Sequence, residues 1–158
     1  MPKILISKAF SFLYFYCFVI DKWHNISGDY KPDFEKDISS ASSKIIIFAP
    51  YLSKYEVQNF ILYAAKSLAN GCTVQVYTCR QEDEAKRKKL ELCLMFLKDA
   101  GIKVGQKDSF SQKIAVLDES ILWYGSVNFL GYTEKDECCM RIVNAQIASE
   151  VEGEVLAE

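Results

Sequence analysis

Histidine is almost missing from this chain: His24 is the only one in 158 residues. The six cysteines, Cys17, Cys72, Cys79, Cys93, Cys138 and Cys139, include no C-x-x-C pair. A zinc site of the usual Cys/His spacing is therefore excluded, and neither a metal nor another cofactor is expected. An excess of charge is missing too, since 19 Lys and Arg face 21 Asp and Glu for a net charge of -2. That balance excludes an overall basic domain and leaves only a local basic cleft to attract phosphate. Three prolines and seven glycines are too few for a collagen-like or low-complexity chain.

The N-terminal segment lacks the length to cross a bilayer. Between Lys8 and Asp21 lie twelve uncharged residues, AFSFLYFYCFVI, whereas a spanning helix needs about 20. Lys3 and Lys8 imitate the start of a signal peptide, but DKWHNISG follows with no small-x-small cleavage pattern. A cytoplasmic protein with reduced cysteines and no membrane span is expected, with secretion or membrane anchoring through this segment as the alternative. The segment reads as an element packed on the domain or on a partner, or as the remnant of a longer ancestor. From Trp23 to Lys31 the chain turns polar, punctuated by Gly28 and Pro32. Residues 1–29 are thus assigned to an apolar segment and linker, and residues 30–158 to one domain, which at this length can bury a sizeable core.

What is present is an alternation of strands and helices. A short helix is expected from Phe34 to Ser43, then the run Lys44-IIIFA-Pro50, continuously apolar as in strands buried on both faces. Ser53 precedes Glu56 at capping-box spacing, and Val57, Phe60, Ile61, Ala64, Ala65 and Leu68 recur at helical period until Asn70-Gly71. A strand over Thr73–Cys79, a helix over Glu82–Ala100 stopped by Gly101, and a weak strand over Ile102–Val104 follow. Lys113–Asp118 and Ile121–Gly125, joined by Glu119-Ser120, suit a hairpin. A strand over Glu137–Val143 and a helix over Asn144–Glu154 close the chain. The pattern predicts an α/β fold, a mixed β-sheet sandwiched between helices. Cys138 and Cys139 should point to opposite faces, and of Trp123 and Tyr124 one should enter the core. The basic run Lys86–Lys89, interleaved with acidic residues, reads as a solvated helix face.

Chemistry concentrates in SQKIAVLDESILWYGSVN, with the spacing Ser111-x-Lys113-x4-Asp118-x6-Gly125-Ser126-x-Asn128. A lysine ammonium, a serine hydroxyl and an asparagine amide on neighbouring strands can converge on phosphate oxygens, which marks Lys113, Ser126 and Asn128 as phosphate-binding candidates. Gly125 would let the backbone turn tightly and approach the ligand. Asp118, at a strand end before a turn, would bond backbone amides of that turn.

This spacing resembles the H-x-K-x4-D-x6-G-S-x-N signature of the phospholipase D superfamily, with Ser111 at the histidine position. The similarity runs from Tyr30 to about Glu150, through Y-K-x-D-F-x-x-D-I, I-I-I-F-A-P-Y-L, W-Y-G-S-V-N-F-L-G-Y and D-E-x-x-M-R-I. It is that of phospholipase D-like domains found alone or joined to bacterial helicase-type ATPases. The resemblance implies a phosphodiesterase or nuclease fold in which a histidine attacks phosphorus and a second, from another motif copy, protonates the leaving group. It makes Ser111, Lys113, Asp118 and Glu137 the catalytic set, Glu137 being the acidic residue that would orient the absent histidine. It also implies a homodimer across a two-fold axis, a nucleic-acid strand as ligand, and a helicase-type ATPase or an intact homologue as further partners. A serine without an adjacent base is a weak nucleophile, so impaired or absent catalysis is expected, and a non-catalytic interaction module is the alternative. His24, beside Trp23 in a polar stretch, reads as a surface residue.

Overall fold

A computed structural model describes residues 20–25, 30–134 and 136–157. Among them are seven strands, β1 (Ile20–Asn25), β2 (Lys44–Phe48), β3 (Thr73–Cys79), β4 (Lys103–Lys107), β5 (Ile114–Leu117), β6 (Ile121–Gly125) and β7 (Cys138–Val143). Four helices join them: α1 (Lys31–Ser40), α2 (Lys54–Ala69), α3 (Glu84–Asp99) and α4 (Ala145–Ala157). The strands form one sheet in the order β1-β7-β6-β5-β2-β3-β4. β2, β3 and β4 are parallel, as their helical crossovers require, and the remaining pairs are antiparallel. This is the mixed sheet expected from the sequence.

The apolar run of β2 is explained by burial on both faces. Ile45 and Ile47 enter a core that also holds Phe34, Val57, Phe60, Leu97 and Trp123, under α1, α2 and α3. Ile46 and Phe48 enter a second cluster with Ile147, Ala148 and Val155 of α4. Trp123 is fully buried in the first cluster, while Tyr124, its neighbour along β6, packs against the second. The first core is locked by charge as well as packing. Asp37 of α1 accepts from Trp123 Nε1 at 2.8 Å and from Arg141 Nε and a terminal nitrogen at 2.6 and 2.9 Å. That ties α1 to β6 and β7 with a two-pronged ion pair.

Several boundaries differ from the sequence reading, each for a local reason. Pro32 fits the first turn of α1, so the helix opens at Lys31 rather than Phe34. Asp83 caps α3 by accepting from Lys86 N–H at 2.9 Å, which starts that helix at Glu84. Ser53 caps α2 as expected, accepting from Glu56 N–H at 3.2 Å. β4 is longer than expected because Lys103–Lys107 pairs in parallel along Gln75–Cys79. The largest difference concerns residues 23–25: assigned to a linker outside the domain, they belong to β1, an edge strand antiparallel to β7 with His24 opposite Cys139. Residues 9–19 of the apolar segment, and the linker residues 26–29, lie outside the described residues. Among the described residues no helix is long and apolar enough to cross a membrane, and no group of His, Cys, Asp and Glu could hold a metal ion.

The β5–β6 turn also differs. Its central residues are Asp118 and Glu119, at φ +50 and +54, closed by Ser120 N–H donating to Leu117 O at 3.1 Å. This is the primed type of turn that matches strand twist, built here without glycine. Asp118 can hold its left-handed backbone because its carboxylate is clamped: it accepts from the N–H groups of Ser42, Ser43 and Lys44 at 2.9, 2.8 and 3.0 Å. The amides it satisfies belong to the α1–β2 connection, not to its own turn. Burial by itself would raise the Asp118 carboxyl, but the amides of Lys44, Ser42 and Ser43 and the Ser43 hydroxyl outweigh it and hold it below its ordinary value. Where β6 meets β7, Gly125 is required by a close approach rather than by a turn. A Cβ there would overlap the Cys138 carbonyl oxygen and sit 2.6 Å from Cys139 Cα.

Two outcomes follow for stability. Replacing Asp118 by Ala orphans three amides and should cost about 2 kcal/mol in urea unfolding. Because the folded carboxyl is depressed, its contribution is complete above about pH 4 and fades as pH falls through the folded value, so Asp118→Asn should flatten the acid limb of the stability curve. An unchanged acid limb would refute the clamp. Gly125→Ala should destabilise by about 2 kcal/mol or more, since both obstructing groups are backbone; thermal unfolding showing no loss would contradict the close approach.

Candidate active site

The site forms where β5 begins, β6 ends and β7 begins. Ile114 lies opposite Tyr124, and Gly125 opposite Cys139, so Lys113, Ser126 and Glu137 sit at adjacent strand ends along one edge of the sheet. Strand alternation adds a face: Ala115 and Cys139 point into the α1–α3 core, and Lys113 and Glu137, two residues before them, share that side.

Lys113 and Glu137 form a charge pair, Nζ to Oε1 at 3.7 Å, with side chains 26% and 15% exposed. Glu137 also accepts the N–H of Glu134 through Oε2 at 3.0 Å. The carboxylate expected to stand idle without an imidazole instead faces the lysine. In the core nearby, Tyr30 is buried, and burial pushes its ionisation well above the ordinary range. A hydrogen bond with Thr133 opposes the shift, and the charges of Glu56, Cys139 and Glu137 add to it. Tyr30, the residue at which the family resemblance begins, is therefore a neutral hydroxyl.

Ser126 is exposed and positioned by β7: its Oγ accepts from Cys138 N–H at 2.9 Å and lies 3.3 Å from the Cys138 carbonyl oxygen. Asn128 is buried and ties two loops. Its Nδ2 donates to the Tyr51 carbonyl at 2.8 Å, and its Oδ1 lies 3.4 Å from Leu130 N. An amide nitrogen carries two N–H donors, and the Tyr51 carbonyl takes one of them. The Tyr51 contact was not foreseen from sequence.

The remaining motif residues part company. Ser111 is exposed. Its N–H donates to Gln112 Oε1 at 3.1 Å, and among the described residues no side-chain base bonds its hydroxyl. Asp118 lies at the far end of β5, about 16 Å from Lys113 at strand rise. Carrying it in the catalytic set is corrected by this separation and by the α1–β2 clamp, which engages both of its oxygens. His24 is the unexpected neighbour: its backbone pairs with Cys139, which on its other side pairs with Gly125. The only histidine thus lies on the strand next to the one that Glu137 leads into.

Among curated proteins, no sequence matches the chain significantly. Solved structures share its fold. It is similar to Nuc from Salmonella typhimurium, a phospholipase D family member, with a TM-score of 0.66 and 16% identity over 84% of this chain and 89% of that one. It is similar to NucT from Helicobacter pylori at a TM-score of 0.63 and 14% identity, over 84% of this chain and 93% of that one. TrmBL2, an archaeal chromatin protein described with a novel mode of DNA binding, aligns at a TM-score of 0.59 and 10% identity, over 96% of this chain and 59% of its own. A family model described as cardiolipin synthase, PLD-like domain, matches residues 34–157, well over half of the chain, and with this coverage the protein belongs to that PLD-like family of the phospholipase D superfamily.

Proposed function

We propose that this domain binds a phosphodiester, foremost a nucleic-acid strand, and cleaves it poorly or not at all. One observation carries the proposal: the partly exposed Lys113 ammonium stands at a strand end shared with Ser126, while Ser111 occupies the position where the family motif has histidine. The cation and hydroxyl suit phosphate oxygens. The nucleophile does not suit attack, because a serine hydroxyl with no base beside it is little activated. Loss of acid–base assistance alone costs about 10²- to 10⁴-fold in rate. Pairing of two copies across a two-fold axis would bring two such sites together, as single-motif members of the family are expected to do.

The Lys113–Glu137 pair also favours a second reading. A cation already compensated by a carboxylate attracts an anion less strongly than a free one, which suits a domain that recruits an intact homologue or a helicase-type ATPase and holds no ligand of its own.

Activity of the purified protein on bis-p-nitrophenyl phosphate and single-stranded DNA tests the catalytic half. Negligible turnover that rises at least 100-fold with Ser111→His is expected; strong turnover by the unaltered chain would overturn the proposal. If that turnover disappeared with His24→Ala, the lone histidine would be its source. The binding half predicts affinity for single-stranded DNA that falls with salt, and that Lys113→Ala weakens about tenfold or more while lowering the salt slope by about one. Equal affinity of the variant and the unaltered chain would sink the phosphate site, and capture of a partner without any DNA binding would favour the second reading.

A further inference from the structure

Two loops meet over Asn128, and each carries a tyrosine into solvent. Tyr51 is 64% exposed and Tyr132 is 87% exposed, although their backbones are fixed. The Tyr51 carbonyl accepts from Asn128 Nδ2 at 2.8 Å, and Ser53 N–H donates to the Leu130 carbonyl at 2.9 Å. Gly131, next to Tyr132, packs so closely that a Cβ there would overlap Asn128 Nδ2 and lie 2.9 Å from the Tyr51 oxygen. The two ring-bearing residues are thus held beside each other through Asn128, the asparagine that the sequence marks as a phosphate-binding candidate. Tyr55, 68% exposed, extends the rim two residues beyond Ser53.

Large aromatic rings on anchored backbone, left in water, call for an occupant. Its chemistry can be narrowed from what the rim does not present. The aliphatic residues of the two loops turn inward: Leu130 and Val127 are buried, and Leu52 packs against the core. A surface that inserts into lipid tails would expose such side chains; this one offers the tyrosine rings with their polar tips, followed on the second loop by the exposed, charged Glu134. Lys113 directly precedes Ile114, which pairs with Phe48 of β2, so the lysine stands at the strand end from which the Tyr51 loop departs. An aromatic ring and a cation at one strand end match the two parts of a nucleotide, its base and its phosphate, and single-stranded nucleic acid presents both in alternation.

We propose that Tyr51 and Tyr132 form a stacking platform for unpaired bases, selecting single-stranded nucleic acid for the phosphodiester site. The platform rests on the proposed phosphodiester binding and adds the ligand class to it. Binding of a ten-nucleotide thymidine strand and of an abasic deoxyribose-phosphate strand of equal length separates the two claims, because the second keeps the phosphates and lacks the bases. The full chain should prefer the base-bearing strand. Tyr51→Ala with Tyr132→Ala should weaken that strand about 5- to 100-fold, the range for one lost stacked base, and leave the abasic strand unchanged, while Tyr→Phe at both positions keeps the preference. Equal affinity for both strands, or no effect of the alanine pair, would overturn the platform and leave phosphodiester binding intact. No binding of either strand would overturn both. Should the alanine pair turn a dimer into a monomer by sedimentation, the rim is a contact between copies and the platform is again overturned.

Discussion

The close approach of β6 to β7 at Gly125 governs everything functional in this molecule. With no side chain between them, the end of β6 lies directly against the Cys138 carbonyl and Cys139 Cα. Ser126 then falls within reach of Cys138, whose N–H it accepts and whose carbonyl its own N–H engages at 2.9 Å. The same contact brings Glu137, one residue ahead of Cys138, to the level of Lys113, which precedes β5 and lies opposite Gly125 by the β5–β6 register. Prising β6 from β7 at Gly125 would separate the carboxylate from the serine and the lysine, which the β5–β6 pairing holds at one strand end.

The fold was legible wherever the determining contacts are local. β2 announced itself by an unbroken apolar run, α2 by the Ser53 cap and its helical period, and the hairpin by its two apolar segments. β1 was illegible because its determinant is distant: IDKWHN has no alternation to speak of, and becomes a strand by pairing with β7 more than 110 residues later. An edge strand needs little apolar character of its own, since one side of its backbone faces no partner. The turn was misplaced by one residue for a related reason. Asp118 and Glu119 adopt a backbone disfavoured for side-chain-bearing residues, and the amides that stabilise it at Asp118 come from Ser42 to Lys44. At the site, Lys113, Ser126 and Glu137 stand at adjacent strand ends. The motif names neither Tyr51 nor Tyr30, whose contacts with Asn128 and Thr133 arise from tertiary packing.

Glu137 shows how a site adjusts electrostatically when one member changes. A partly buried carboxylate gains from compensation, because withdrawing it from water is costly. Here the compensation comes from Lys113 at 3.7 Å and the Glu134 amide. The distance is long for a hydrogen bond, so the lysine is attracted without being locked. The carboxylate thereby reduces the net pull of the ammonium on anions.

The motif residues divide by what the fold asks of them. Asp118 is held by three amides and anchors a turn at the far end of β5; Gly125 cannot accept a Cβ; Asn128 is buried and joins two loops. Each is required by the architecture, whatever chemistry the site performs. Ser111 is the exception, exposed and lying outside every strand and helix. The position that carries the nucleophile in the family motif is therefore the one that the fold can lose at no structural expense.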